Sequence, residues 1–194
     1  FLLGGTAGRT TLAGEGLQHQ DGQSHLLAYP VPNLLAYDPA YAYELTVIIE
    51  DGIRRMYVEG ESVFYYLTVE NQPYAMPKMP DGAREGILKG LYRLRPATGT
   101  QSHRAQLLAS GARRREALEA QTLLGRYDVA ADVWSVTSHK ELRRDALAVE
   151  RWNLLHPGET PRIPYITRTL QNEPGVFVAA SDYVKTLPDS ISRW

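Results

Sequence analysis

The densest group of residues able to do chemistry lies in Gly14-Glu15-Gly16-Leu17-Gln18-His19-Gln20-Asp21-Gly22-Gln23-Ser24-His25, a glycine-framed stretch carrying two histidines and two acids. Imidazole titrates near neutrality, so His19 and His25 could each donate a proton to a bound substrate or accept one from it. The glycines let backbone approach a ligand closely. Spacing leaves two other readings open. One is a polar surface loop without chemistry. The other is a metal site in which His19, Asp21 and His25 supply the two imidazoles and the carboxylate of a facial triad, although a separation of six residues between the histidines is short for it.

The remaining candidates are weaker. Gly4-Gly5-Thr6-Ala7-Gly8-Arg9-Thr10-Thr11 has neither the lysine of a phosphate loop nor the G-x-G-x-x-G spacing of a dinucleotide fold, so it reads as a turn. Arg9 could grip a carboxylate or phosphate with two hydrogen bonds, but an exposed pairing with Glu15 is the commoner outcome. Arg113-Arg114-Arg115 and Arg143-Arg144 read as solvated helix faces. His103 falls in a linker, His139 at a helix start and His156 near a helix end, none with a catalytic neighbour in sequence. Tyr37, Tyr41, Tyr43, Tyr65 and Tyr66 read as core or subunit-interface residues.

The elements that must position these residues follow from pattern. Phe1-Leu2-Leu3 resembles a buried strand entering a glycine turn, and six of the sixteen glycines fall in the first twenty-two residues, as in a long structured loop. Leu34-Leu35-Ala36 is a short strand. Asp38 and Pro39 supply an N-cap and a first-turn proline for a helix to about Tyr57. The aromatic and β-branched run Val63 to Val69 predicts a central strand covered on both faces. Pro73, Pro77 and Pro80 break the chain ahead of an apolar-periodic stretch through Ile87, Leu88, Leu91 and Tyr92. A polar linker from Arg95 to His103 marks a domain boundary. Beyond it the order is strand 105–109, helix 113–126, strand 132–136, helix 140–155, strand 176–180 and a helix from Asp182. That βαβαβα run predicts a parallel, right-handed, helix-covered sheet.

Composition bounds the function. The 194 residues are 43% hydrophobic and 22% charged, enough for one large or two small cores. A formal net charge of −1 lacks the basic footprint of a nucleic-acid binder. The absence of cysteine removes disulfides, thiol catalysis and cysteine-based metal centres, and agrees with a reducing compartment, the cytoplasm by default. No apolar run approaches the length of a membrane span. A start at Phe rather than Met, and a helical pattern that stops at Trp194, suggest a piece of a longer protein.

Several runs are similar to one family. Gly4 to Thr11, Gly14 to Gly22, Tyr37-Asp38-Pro39-Ala40-Tyr41-Ala42-Tyr43-Glu44, Asp132-Val133-Trp134-Ser135-Val136-Thr137-Ser138, Glu150-Arg151-Trp152-Asn153 and Leu155-His156-Pro157 resemble the homodimeric bacterial pyruvate dehydrogenase component. The resemblance covers essentially the whole chain. It implies a thiamine diphosphate enzyme of the transketolase superfamily that decarboxylates pyruvate and reductively acetylates the lipoyl domain of dihydrolipoamide acetyltransferase. It also implies an α/β fold containing parts of two transketolase-type domains with largely parallel, helix-covered sheets. Residues 1–80 would be the later part of the middle, pyrimidine-binding domain, 81–95 a linker segment, and 96–194 the first part of the C-terminal domain.

By the same resemblance, His19 matches a loop histidine near the reactive cofactor carbon that takes part in substrate binding and proton transfer. His25 matches a second, weaker position. Gln20 stands where relatives often carry Glu, and Gln23 where some carry His. The Gly-Asp-Gly motif that binds Mg²⁺ in the family does not occur in this sequence, and the cofactor-activating glutamate would also precede position 1, so no metal or diphosphate site of its own is expected. The alternative is a non-catalytic fragment that keeps only dimerisation or complex-docking surfaces.

Overall fold

The computed structural model describes residues 2–5, 7 and 16–194. Most of the glycine-rich opening, with Arg9, Gly14 and Glu15, lies outside the described residues. Leu2 and Leu3 are 96% and 83% exposed and form no strand, contrary to the buried strand expected there, because nothing described pairs with them.

The first unit contains α1 (Ser24–Leu27), β1 (Leu34–Tyr37), α2 (Ala42–Ile53) and β2 (Phe64–Leu67). β1 and β2 pair in parallel, Leu35 opposite Tyr65. α2 begins four residues later than Asp38, because Glu44 reaches back and accepts from the backbone N–H groups of Ala40 (2.8 Å) and Tyr41 (3.1 Å). The helix continues into a π-helical turn, Arg54–Val58. β2 is not the central, doubly covered strand expected. Among the described residues it pairs only with β1, and Phe64 is about half exposed.

α3 (Ala83–Lys89) leads through Gly90 into β3 (Leu91–Arg95). Gly90 has φ +102°, and a Cβ there would lie 2.4 Å from the Ser138 carbonyl oxygen, so this crossing point admits only glycine. β4 (His103–Ala109), α4 (Arg113–Leu124), β5 (Val129–Val136), α5 (His139–Leu155), α6 (Tyr165–Leu170), β6 (Val176–Ala180) and α7 (Thr186–Asp189) complete the chain. The second sheet has the order β3-β5-β4-β6. β4 is parallel to β5 and β6, as the alternation predicts, while β3 adds an antiparallel edge that the pattern did not reveal.

Both faces of this sheet are covered. Ala105, Leu107, Ala109 and Val133 pack with Ala117 of α4. Leu108, Trp134 and Val136 pack with Leu142 of α5 and with Ile166 and Leu170 of α6. α6 was missed because Pro161 and Pro164 obscure its short period. The expected helix from Asp182 is only the four-residue α7, since Ser181 to Lys185 form a turn. Leu35, Tyr37, Val47 and Ile48 meet Ala83 and Ile87 of α3 and Tyr92 of β3 in a cluster that joins the units. Among the described residues no helix is long and apolar enough to cross a membrane.

Candidate active site

The carboxyl ends of the parallel strands converge. Asp38 follows β1, Thr68 follows β2, Ser110 and Gly111 follow β4, and Thr137 and Ser138 follow β5. Hydrogen bonds stitch these ends together across the two units. Asp38 N–H donates to the Thr137 carbonyl (2.8 Å), Gly111 N–H to the Asp38 carbonyl (3.4 Å), and Ser138 Oγ to the Ala36 carbonyl (2.6 Å). In open α/β sheets the crevice beyond the strand carboxyl ends is where ligands bind.

His25 sits in this seam. Asp21 starts its helix, one carboxylate oxygen accepting from the backbone of Gln23 (3.2 Å) and Ser24 (3.0 Å) and the other from Ser24 Oγ (2.6 Å). Gly22 accepts from Val184 N–H beyond β6 (2.9 Å). The Lys140 ammonium, at the start of α5, donates to the carbonyls of Ala28 (2.7 Å) and Val31 (2.6 Å), anchoring the chain that leaves α1. Burial lowers its proton affinity, which the Glu141 carboxylate partly restores.

The His25 ring is 4% exposed. Its Nε2 lies 3.0 Å from Thr68 Oγ1, which donates at 2.6 Å to Asp38 Oδ1. The rings of Tyr66 and Tyr183 meet it edge-on at 5.3 and 4.7 Å. His139 lies behind, and burial together with the nearby His25 pushes its imidazole down to about 3, so it is neutral at any physiological pH. His19 is in a different setting. It is exposed at the end of a 3₁₀ turn, Leu17–His19, held by its N–H on the Gly16 carbonyl (3.2 Å).

Glu70, just beyond β2, is half-buried, and neither carboxylate oxygen has a hydrogen-bond partner among the described residues. Burial and then the Asp38 charge push its carboxyl up to about 7, against the pull of Arg114 and Arg115. Arg113 pairs with Asp182 at 2.7 Å.

A second buried charge lies on the same seam. Glu44 is fully enclosed and accepts from Arg114 Nη1 (2.7 Å), Tyr92 Oη (2.6 Å) and Ser135 Oγ (2.8 Å) besides its two backbone donors. Burial alone would raise its carboxyl, but Arg114 and these hydrogen bonds override that and hold it below the usual carboxylate range. Arg114 is therefore not part of a solvated face. It is 1% exposed and stacks over Tyr41 at 4.4 Å, because the first turn of α4 points into the seam.

Sequence reasoning singled out His19 and His25, which the fold places apart, His19 exposed and His25 buried in the seam; it read Asp38 as a helix cap, His139 as without a catalytic neighbour and Arg114 as exposed, and did not single out Thr68 or Glu70. The missed signal was positional, since each of Asp38, Thr68 and Thr137 is the first polar residue after a parallel strand. Nor do the described residues support the facial-triad alternative: none of their His, Asp and Glu groups is arranged in threes to hold a metal ion, and Asp21 accepts from the backbone and hydroxyl of Ser24. The histidines, hydroxyls and carboxylates gathered at the strand ends are groups able to pass protons.

The chain is similar to known proteins along its length. Residues 1–77 match the family described as pyruvate dehydrogenase E1 component middle domain, and residues 90–193 the transketolase-like TK C-terminal domain. The pyruvate dehydrogenase E1 component of Pseudomonas aeruginosa is 54% identical over the whole chain, that of Escherichia coli K12 52%, and that of Mycobacterium tuberculosis 50%. The chain spans only 22%, 22% and 21% of their respective lengths. A solved transketolase variant from Pichia stipitis superposes with a TM-score of 0.60 at 16% identity, covering 92% of this chain and 23% of that one, which establishes the shared fold alone. The chain belongs, through residues 90–193, to the transketolase-like TK C-terminal domain family, and along its whole length it is similar to pyruvate dehydrogenase E1 components.

Proposed function

We propose that this chain is a segment of a pyruvate dehydrogenase that decarboxylates pyruvate with thiamine diphosphate and Mg²⁺ and reductively acetylates the lipoyl domain of dihydrolipoamide acetyltransferase, feeding acetyl-CoA formation. The observation that carries the reading is half-identity to E1 components across the entire chain, combined with a buried histidine seated at the carboxyl ends of parallel strands. On this reading residues 1–80 are the later part of the middle domain, 81–95 the linker segment and 96–194 the first part of the C-terminal domain. The enzyme works as a homodimer in the cytoplasm.

Bound thiamine diphosphate supplies the nucleophilic carbon and the electron sink that keto-acid decarboxylation requires. This chain supplies protons and shape. His19, exposed on its turn, reaches a substrate directly and donates to the keto oxygen as negative charge develops there. His25, held by Thr68 within the seam, is the second imidazole. Tyr66 and Tyr183 keep water from its ring.

The test is pyruvate-dependent reduction of an artificial electron acceptor by the full-length protein with thiamine diphosphate and Mg²⁺. His19→Ala is expected to lower turnover about 100-fold or more, the scale of a lost general acid. An unchanged rate would overturn the assignment. Exposed Val176, Phe177 and Val178 on edge strand β6, and Ile53, Tyr57 and Val58 at the end of α2, favour association over turnover for the segment alone.

A further inference from the structure

We infer that Asp38 and Thr68 are positioning residues that hold His25 with its proton on Nε2, so that every proton His25 exchanges passes through Nδ1. The inference rests on the reading of His25 as a proton-transfer group. It adds the residues that set which ring nitrogen works.

Counting protons fixes the direction of each hydrogen bond. Thr68 Oγ1 has a single hydrogen and two acceptors within reach, Asp38 Oδ1 at 2.6 Å and the Tyr37 carbonyl at 3.4 Å. The carbonyl already receives Thr68 N–H at 3.1 Å, and a charge-assisted bond to a carboxylate is the shorter and stronger of the two. The hydroxyl proton therefore points to Asp38. Only lone pairs then remain on Oγ1 to face His25, and a 3.0 Å contact between Nε2 and Oγ1 needs Nε2 to be the donor. A neutral Asp38 carboxyl would run the chain the other way, with Thr68 donating to a bare Nε2. The charge on Asp38 thus selects the tautomer of a ring it does not touch.

The second unit fixes Asp38 in place. Its N–H and carbonyl are bonded to Thr137 and Gly111, and Gly111 sits at φ +47° so close that a Cβ would come within 2.6 Å of Oδ2. Among the described residues, the titratable groups facing the His25 ring include Tyr66 from β2, Tyr183 beyond β6, His139 from α5 and, through Thr68, Asp38. His139 is neutral, and the Asp38 carboxylate reaches the ring through Thr68. It favours the imidazolium and biases the ring toward donating from Nε2 in both charge states.

The experiment follows exchange of the imidazole C2 hydrogen for deuterium by mass spectrometry on the full-length holoenzyme across pH, which titrates each histidine separately. Pyruvate-dependent turnover is measured alongside. Thr68→Val is expected to lower the titration midpoint of His25 by about one pH unit and kcat about 10-fold at unchanged KM. Asp38→Asn should lower the midpoint in the same direction, and Thr68→Ser should restore both readouts. Should Thr68→Val fail to fold, the Asn and Ser variants carry the test. A moved midpoint with unchanged turnover supports the positioning pair and overturns the proton-transfer reading of His25. A midpoint that stays put in Thr68→Val and Asp38→Asn overturns the pair, whatever happens to turnover.

Discussion

Two buried carboxylates, Glu44 and Asp38, lie on the seam between the units, six residues apart in sequence and in different settings. Glu44 has five donors, an arginine counter-ion and a carboxyl held low. Asp38 accepts from Thr68 and sits among groups with displaced proton affinities. Glu70, close enough to feel its charge, has both oxygens unpartnered and a carboxyl pushed up to about 7, and His139 stays neutral beside His25. A saturated buried charge fixes geometry and does nothing else, since any movement would strand it. An unsaturated cluster with displaced proton affinities is what sites of chemistry require. On the proposed reading the seam contains both a lock and a site.

The lock should fail hardest. Glu44→Gln leaves Arg114 buried without a counter-charge, and a cost of about 3 to 5 kcal/mol is expected, read as a drop in the thermal midpoint of the full-length protein. A loss below about 1 kcal/mol would mean the pair is not a lock.

Next comes acid sensitivity through His139. Its folded-state affinity lies below the ordinary value, so its contribution is complete above pH 6.5 and fades as pH falls toward 3. Roughly 3 kcal/mol of stability should disappear across that window, less than the full 1.4 kcal/mol per unit because local opening admits water. His139→Gln should flatten the acid limb in a pH series of unfolding midpoints; an unchanged limb would place the acid sensitivity elsewhere.

The smallest effect has the opposite sign. Glu70 has a folded-state affinity raised from 4.5 to about 7, so the folded state loses stability as pH rises through that range. Glu70→Gln should stabilise the protein by about 1 kcal/mol at pH 8, after discounting for solvent screening of a half-exposed group, and change nothing below about pH 4.5. Equal stabilisation at both pH values would show that Glu70 carries no raised affinity.

The fold was largely legible because its signals are local. The Ser138 cap, whose Oγ accepts from Glu141 N–H at 3.0 Å, and the alternation of apolar strands with amphipathic helices place β4 to β6 within a few residues. The antiparallel β3 was not legible, since Leu91 to Arg95 pairs with a strand about forty residues later, a choice made by tertiary contact. The same division holds at the site. His19 and His25 are visible as histidines in a glycine-framed loop. Asp38, Thr68 and His139 lie on three separate elements, and only folding brings them to one ring. Arg114 shows the limit most plainly, for its neighbours Arg113 and Arg115 carry the same letter and only the helix phase sends one of the three inward.

If His25 does chemistry while Glu44 holds architecture, His25→Gln in the full-length protein separates the two roles. The glutamine amide can still donate to Thr68, so the fold is preserved while the titrating group is removed. Turnover in the acceptor assay should fall about 100-fold with an unfolding midpoint within about 1 °C of the parent. Full turnover, or a loss of activity that merely tracks a loss of folded protein, would contradict the account.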